Sequence, residues 1–138
     1  MSEETKYWGD ELIERYPKIF NENFYFECNQ GWKEILDNAC GLIQNHCDNL
    51  EARNNNQANQ VKAVQIKEKF GGLRFYTNMV DDYVRGVINM AEFMSYSTCE
   101  ICGDKAFEFT PEEKEQRSTW EPILCEKHLI EHNQRKTK

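Results

Sequence analysis

Two short motifs most constrain what this chain can fold into. Cys99 and Cys102 form a CxxC pair, and Cys125 and His128 form a CxxH pair, with 22 residues between the two pairs. Zinc prefers thiolate and imidazole ligands, and four of them complete its tetrahedron. A two-residue gap lets both side chains of a pair reach one ion, and Gly103 suits the tight turn after the first pair. The spacing therefore predicts one structural zinc ion held by these four side chains.

The fourth ligand has one competitor, His132, which lies four residues after His128. The symmetric CxxH spacing favours His128. Four protein ligands leave no position for water, which a catalytic zinc ion needs. The sequence also lacks HExxH, GxSxG and the deaminase ligand order. Glu126 and Glu131 are near the ligands in the sequence, but no substrate pocket is recognisable around them. We therefore expect a structural clasp and not an enzyme.

Three further cysteines, Cys28, Cys40 and Cys47, are expected to be small buried apolar residues. The first six residues are acidic and polar, which predicts no secretory signal and an intracellular protein with reduced thiols. Cys40 and Cys47 would lie about 10 Å apart on one helical face, too far for a disulfide. No apolar run reaches the ~18 residues of a membrane span, so no membrane partner is expected.

The hydrophobic pattern predicts an α+β fold. The length of 138 residues suits a single domain. We assign residues 7–97 to a core of helices and a hairpin, and residues 98–130 to a zinc-binding subdomain. Apolar residues recur at helical spacing over about 30–50, beginning at Trp32, and again over about 80–97. These two amphipathic helices should pack on a small antiparallel sheet, with the zinc motif closing the C-terminal end.

Finer predictions cover the first half of the chain. A short helix should span Trp8–Tyr16 with Asp10 as its N-cap, and residues 18–29 should be extended. Trp32 should anchor the core. The polar stretch 51–60 should be a loop.

In the second half, Asp81 or Asp82 should cap the second long helix. Met90 and Met94 on that helix should fill gaps in the core. Residues 104–124 should form an irregular hairpin or loop that returns to the second ligand pair, and a short polar tail should follow.

Residues 61–77 alternate between apolar and polar and predict a hairpin joined through Gly71-Gly72. The residues expected to face the core are Val64, Ile66, Leu73 and Phe75. The cations Lys67, Lys69 and Arg74 should share the solvent face.

This hairpin concentrates positive charge in an acidic chain. The net charge is −7, yet residues 62–74 hold four cations and one acid, so the remainder sums to −10. Consecutive N–H groups at the two glycines could form an anion nest, and Phe70 and Tyr76 could stack on a base. The residues predicted to bind a phosphate-bearing ligand are Lys67, Lys69, Gly71, Gly72, Arg74 and Tyr76. The alternative is a plain turn beside a solvated edge.

Several stretches together resemble a known family. They are Arg15–Pro17, Glu27–Trp32, Gln65–Tyr76, Met94–Gly103 and Leu124–His128. The most specific part is KEKFGGLRFY. The chain resembles, over roughly residues 10–130, a family of small proteins encoded by tailed bacteriophages and prophages. Residues 51–60 and 108–117 are longer than in such relatives, and a cysteine-rich segment that relatives often carry is reduced here to Cys28.

The resemblance implies a viral origin and a location in the host cytoplasm, and it implies no known reaction. Taken with the closed zinc motif, it leads us to expect a non-enzymatic phage accessory protein that binds and modulates a host protein, as a host-takeover factor or an inhibitor of host defence. The alternative is a nucleotide or nucleic-acid binder that uses the basic hairpin.

Overall fold

A computed structural model describes residues 7–54, 60–118 and 121–136. Within these ranges the chain forms five α-helices and a two-stranded antiparallel sheet, which confirms the predicted α+β class. Buried side chains form two clusters, a large one among the helices and hairpin and a small one beside the predicted zinc ligands. None of the helices in the described part of the chain combines the length and hydropathy that crossing a bilayer requires.

Helix α1 (Gly9–Arg15) opens the described chain. The prediction that Asp10 caps it was wrong, because the N-cap is Trp8 and Asp10 lies within the first turn. An acidic side chain there still interacts favourably with the helix dipole. The helix ends at Arg15 with Tyr16 as its C-cap, since Pro17 disfavours helical backbone in the residue before it.

The segment after α1 packs through aromatic rings. Phe20, Phe24 and Phe26 are buried, with ring centroids 4.9 to 5.0 Å apart. Turns occupy its first half, so the predicted extended structure is found only toward its end. There Glu27 forms a parallel bridge with Lys67, which places this segment beside the hairpin.

Helix α2 (Lys33–Asn54) follows one 3-10 turn (Gln30–Trp32) and lines the main core. The residues buried on its inner face are Ile35, Leu36, Ala39, Cys40, Ile43 and Cys47. Trp32 is fully buried, and its indole N–H donates to the Thr98 carbonyl at 3.1 Å, as expected of a core anchor. The helix continues into the predicted loop 51–60, whose residues 55–59 lie outside the described ranges.

Strands β1 (Ala63–Lys69) and β2 (Gly72–Thr77) form the predicted hairpin. Its two-residue turn is Phe70-Gly71 and not Gly71-Gly72. Both turn residues have positive φ, 53° and 86°, which is the backbone of a tight hairpin turn.

The inward face of the hairpin holds Ile66, Leu73 and Phe75, all buried as predicted. Val64 is 62% exposed, so its assignment to the core was wrong. The register shifts between Ala63 and Gln65, which leaves Val64 as an extra residue. Such a bulge breaks the alternation of faces on which the prediction depended.

Helix α3 (Asp82–Ser95) covers the outer edge of β2. Asp81 caps it, as predicted, by accepting a hydrogen bond from the Val84 amide at 2.8 Å. The residues buried on its inner face are Val84, Ile88, Ala91 and Ser95. Met90 and Met94 are exposed and do not fill the core, because they lie on the other side of the helix.

The C-terminal part is more helical than predicted. Helix α4 (Pro111–Gln116) replaces part of the predicted loop, and helix α5 (Glu126–Lys136) replaces the predicted polar tail. Thr110 and Glu113 form a capping box at the start of α4, which satisfies backbone N–H groups at both residues.

Candidate metal centre

The first ligand pair sits on a tight turn just beyond α3. The Gly103 amide donates to the Cys99 carbonyl at 2.9 Å, and the Cys99 amide donates to the Asp104 carbonyl at 2.7 Å. Gly103 has a φ of +86°, as its predicted role in the turn requires. Cys99 is buried and Cys102 is exposed. The first pair therefore contributes one ligand from the protein interior and one from the surface.

The second pair sits at the start of α5. Cys125 immediately precedes the helix, and His128 lies within its first turn. One helical turn therefore brings both side chains to one side. Leu124 and Leu129 are buried beside them with Cys99, and Ile101 and Phe109 pack against this small cluster.

The four predicted ligand atoms converge, all lying within 4.8 Å of one another. The Cys102 and Cys125 sulfur atoms are 3.7 Å apart, and the Cys99 sulfur is 3.6 Å from Nδ1 of His128. The Cys125 sulfur is 3.1 Å from the same nitrogen. Four bonds of about 2.3 Å in a tetrahedron place neighbouring ligand atoms about 3.8 Å apart. The residues are therefore arranged to hold a metal ion, and Nδ1 is the nitrogen of His128 that faces it.

His132 lies outside this cluster. Its Nε2 is 3.6 Å from a carboxylate oxygen of Glu121, in the segment that leads back to the second ligand pair. Because the cluster of four contains His128 and not His132, the structure favours the predicted ligand over its competitor.

Local electrostatics also suit a cation. Burial works to raise the pKa of the Cys99 thiol, but hydrogen bonds from the backbone of Cys125, Cys102 and Ile101 outweigh it and lower the pKa to about 7. At Cys102 the Asp104 backbone works to lower the pKa, while burial and the neighbouring thiols raise it to about 11. The Cys102 thiol thus keeps its proton more firmly than an isolated thiol does, and a bound metal ion would compensate the charge of its thiolate.

The turn that carries the first pair is seated on the start of α2. The Gly31 amide donates to the Glu100 carbonyl at 2.7 Å. A Cβ at Gly31 would lie 2.1 Å from the Cys99 carbonyl oxygen and 2.3 Å from that of Glu100. Only glycine permits this close approach. We call Gly31 the seat of the metal site, because the Cys99–Gly103 turn packs directly on its backbone.

Glu100 is a buried acid that the sequence did not single out. Its carboxylate accepts hydrogen bonds from the backbone and side-chain amides of Asn29, each at 3.1 Å. Burial raises the pKa of Glu100, and the nearby Glu68 raises it further. These contacts join residues 71 positions apart, which is why sequence spacing gave no signal for them.

The predicted ligand residues of the hairpin lie together but are partly engaged. Lys67 is directly opposite Arg74, and the Arg74 guanidinium donates to the Tyr96 hydroxyl at 3.1 Å. The Gly71 amide donates to the Glu68 carboxylate at 2.7 Å, so the chain's own acid occupies the turn where an anion nest was predicted. Gly71 and Gly72 are buried, whereas Lys69 and Tyr76 are exposed.

The hairpin turn contacts the metal-binding part of the chain, residues 98–130. A Cβ at Gly71 would lie 2.7 Å from the Glu121 carbonyl oxygen. A cavity of about 410 Å³ opens beside this contact. Its aromatic lining comprises Phe70, Tyr96, Phe107 and Phe109, and its cations are Lys105, Lys114 and Arg117. Lys105 pairs with Glu108 at 2.9 Å, and the Arg117 guanidinium lies 3.9 Å from the centre of the Phe109 ring.

Comparison with known proteins gives no relative: no family model, no curated protein and no solved structure matches this chain.

Proposed function

We propose that the protein binds one structural zinc ion through Cys99, Cys102, Cys125 and His128. The observation that carries this proposal is the convergence of three sulfur atoms and one imidazole nitrogen at near-tetrahedral spacings. Soft thiolates with an imidazole select zinc among the common divalent ions. Four protein ligands complete the tetrahedral coordination of zinc and leave no open position. This supports a structural zinc site, a clasp that joins two parts of the chain, and not a catalytic centre.

Elemental analysis tests the zinc assignment. We expect one zinc per chain, and we expect Cys102→Ser to lose the metal and the cooperative unfolding of the C-terminal part. Cys28→Ser is the matched control, because Cys28 is half-buried outside the cluster. Full zinc binding by Cys102→Ser, or a cooperative transition unchanged without metal, would contradict the clasp.

As to activity, the protein acts by binding: it is a non-enzymatic phage accessory protein that modulates a host protein in the host cytoplasm. The phage origin rests on the resemblance in Gln65–Tyr76 and the ligand pairs. The binding role is supported by exposed aromatic side chains on a scaffold braced by the clasp. Phe70 and Tyr96 are both exposed where the hairpin meets the metal-binding part.

Site-specific photo-crosslinking tests this role in host cells. A benzophenone amino acid at Phe70 should capture one host protein, and excess unlabelled protein should compete it away. The same group at Tyr25, an exposed aromatic residue of the segment before α2, is the control. Equal capture at both positions, or none at Phe70, would refute binding through the hairpin turn.

A second candidate is binding of a nucleotide or nucleic-acid phosphate by the hairpin. The cavity beside Phe70 supports it, since its volume of about 410 Å³ lies in the ~300–1,000 Å³ range of ligand pockets. Arg74 does not line this cavity itself but donates to the hydroxyl of Tyr96, which does. The Gly71 amide already donates to Glu68, which weighs against an anion nest at the two glycines. The cations Lys67 and Arg74 would therefore supply the affinity for phosphate. Lys67→Glu with Arg74→Glu should abolish nucleotide binding measured by calorimetry, and Lys18→Glu should not. Unchanged affinity in the double variant would remove this candidate.

A further inference from the structure

Cys102 differs from the other predicted zinc ligands in its contact with solvent. Its side chain is exposed, whereas Cys99 and Cys125 are buried and His128 is half-buried. Small oxidants react with thiolates that solvent reaches, and burial shields the others. An oxidant therefore meets the site first at Cys102.

The Cys102 sulfur has a second thiol beside it. The Cys125 sulfur lies 3.7 Å away, although the two residues are 23 positions apart in the sequence. A disulfide holds its sulfur atoms at about 2.05 Å, so an approach of about 1.7 Å would close the bond. The exposed thiol and a buried thiol are thus already neighbours in the folded chain.

Two backbone hydrogen bonds align the segments that carry these thiols. The Glu100 amide donates to the Ile123 carbonyl at 3.0 Å, and the Phe107 amide donates to the Leu124 carbonyl at 2.9 Å. Ile123 and Leu124 directly precede Cys125. The main chain itself therefore sets the two segments side by side, and a covalent bond between the thiols would keep them there.

We propose that Cys102 is the site at which a peroxide oxidises this protein, and that the product is a disulfide with Cys125. This site belongs to the proposed zinc clasp, so the assignment rests on that function and adds its regulation. The Cys102 thiolate attacks one oxygen of hydrogen peroxide: an S–O bond forms, the O–O bond breaks and hydroxide leaves. The Cys125 thiolate then attacks the Cys102 sulfur: the S–S bond forms, the S–O bond breaks and a second hydroxide leaves. The two sulfur atoms together lose two electrons, which reduce the peroxide.

Disulfide formation exchanges one clasp for another. Cys99 and His128 are the ligands that remain, and two are too few for a structural zinc site. The metal is released, while the new bond still links the turn beyond α3 to the start of α5. The oxidised chain should thus lose zinc and keep its C-terminal part folded. Removal of zinc by a chelator leaves the reduced chain without either link.

Peroxide titration of the zinc-loaded full chain tests the proposal. A chromophoric chelator measures the zinc released, and mass spectrometry of proteolytic fragments, after the free thiols are blocked, shows which cysteines are joined. We expect one zinc released for each Cys102–Cys125 disulfide formed, and a thiol reductant with added zinc should restore the starting protein. Exchange protection at the Glu100 amide should persist in the oxidised chain and be lost after chelation of the reduced chain. Loss of that protection on oxidation would contradict the exchange of clasps.

Cys102→His separates oxidation from metal binding. Imidazole can replace a thiolate as a zinc ligand, so this variant should keep zinc and release it about tenfold or more slowly under peroxide. Cys28→Ser is the matched control, because Cys28 lies outside the cluster, and it should respond like the original chain. The fragment analysis of the original chain decides the disulfide even where the histidine variant does not fold.

Three results would overturn the proposal alone. They are zinc that stays bound in the original chain under peroxide, zinc that leaves with a disulfide between Cys99 and Cys102 instead, and release from Cys102→His at the original rate. Absence of zinc before treatment would overturn the zinc assignment itself, and this inference with it.

Discussion

Gly31 is the residue on which the seat of the metal site depends. Its missing side chain lets the Cys99–Gly103 turn cross the 3-10 turn that precedes α2, where a Cβ would be 2.1 Å from a carbonyl oxygen. We expect Gly31→Ala to lower the free energy of unfolding by about 3 kcal/mol, because backbone and not a flexible side chain stands in the way. Zinc affinity should fall with it. Urea denaturation and competitive chelation measure the two effects.

Gly86→Ala is the contrasting substitution at an open position. Nothing described lies within 4 Å of the new Cβ, so helix propensity alone should raise the stability of the chain by ~1 kcal/mol. If both alanine substitutions lower the free energy of unfolding equally, the close backbone contact at Gly31 does not stabilise the fold.

Tyr16 and Asp37 make the junction of α1 and α2 sensitive to pH. The Tyr16 hydroxyl donates to Asp37 at 2.6 Å, and Arg15 also donates to that carboxylate. Burial and this hydrogen bond raise the pKa of Tyr16 to about 12. Burial works to raise the pKa of Asp37, but the hydrogen bonds from Tyr16 and Arg15 lower it overall.

The sign of the Tyr16 effect follows from these shifts. Above pH 10.0 the unfolded chain loses the Tyr16 proton while the folded chain keeps it, so stability should fall between pH 10.0 and about 12. We expect about 1 kcal/mol, since solvent screens the partly exposed pair. Tyr16→Phe should be less stable at neutral pH, and the difference from the original chain should shrink across this window. Urea unfolding at stepped pH measures it, and a constant difference would contradict the prediction.

At the residue scale, sequence spacing predicted the metal ligands but not their supports. Cys99 and Cys102 share one turn, and Cys125 and His128 share another, so their separation along the chain carries the geometry. Asn29 and Gly31 both donate to Glu100 across about 70 residues, and such contacts depend on the completed fold. The sequence shows that Gly31 precedes a helix, but it gives no sign that the backbone of Cys99 and Glu100 packs against this glycine.

At the scale of elements, the side chains of α3 complete the sheet. Strand β2 has an outer edge, and its amides at Leu73 and Phe75 donate to Ser95 and Glu92 at 3.0 and 2.9 Å. The helix thereby satisfies donors that a third strand would otherwise take. Burial of this edge explains why a polar residue, Ser95, lies on the inner face of α3.

Ser95→Ala should therefore leave the Leu73 amide buried without its acceptor. We expect a loss of about 2 kcal/mol in the free energy of unfolding. Ser97→Ala is the matched control, because Ser97 is exposed and donates only a local hydrogen bond to Met94. Chemical denaturation of both variants measures the contrast, and equal effects would show that the edge contact is unimportant.

Periodicity predicted the existence of the long elements but not every face. Apolar residues lie on both sides of α3, so the pattern could not say which side meets the core, and Met90 was assigned wrongly. Helix α4 has no buried residue and hence no apolar stripe, although Thr110 and Glu113 carry a capping signal. Val64 was misplaced because a bulge is a feature of pairing that alternation does not reveal.

At the scale of the molecule, the proposed zinc clasp joins parts that are distant in the chain. The Cys99–Gly103 turn contacts the start of α2, the end of α3 leads into it, and the returning segment at Glu121 meets the hairpin turn. The large buried cluster lies among the helices and hairpin and contains none of the four ligands. Metal binding should thus stabilise the C-terminal part directly and the rest of the chain through these contacts.

Removal of the proposed zinc ion should consequently unfold the C-terminal part of the chain and leave the large buried cluster folded. Hydrogen exchange after chelation should show loss of protection at the amides of Cys99, Glu100 and Gly103, because their acceptors belong to the clasp and its seat. The Gly31 amide should follow, since it donates to the Glu100 carbonyl. Protection in α2 near Ile43, inside the large cluster, should persist. Returning zinc should restore the pattern and magnesium should not, because magnesium prefers oxygen ligands. Uniform loss of protection across the chain would instead mean that the large cluster cannot fold without metal. Unchanged protection at the Cys99 amide would mean that the four ligands hold no ion that stabilises the fold.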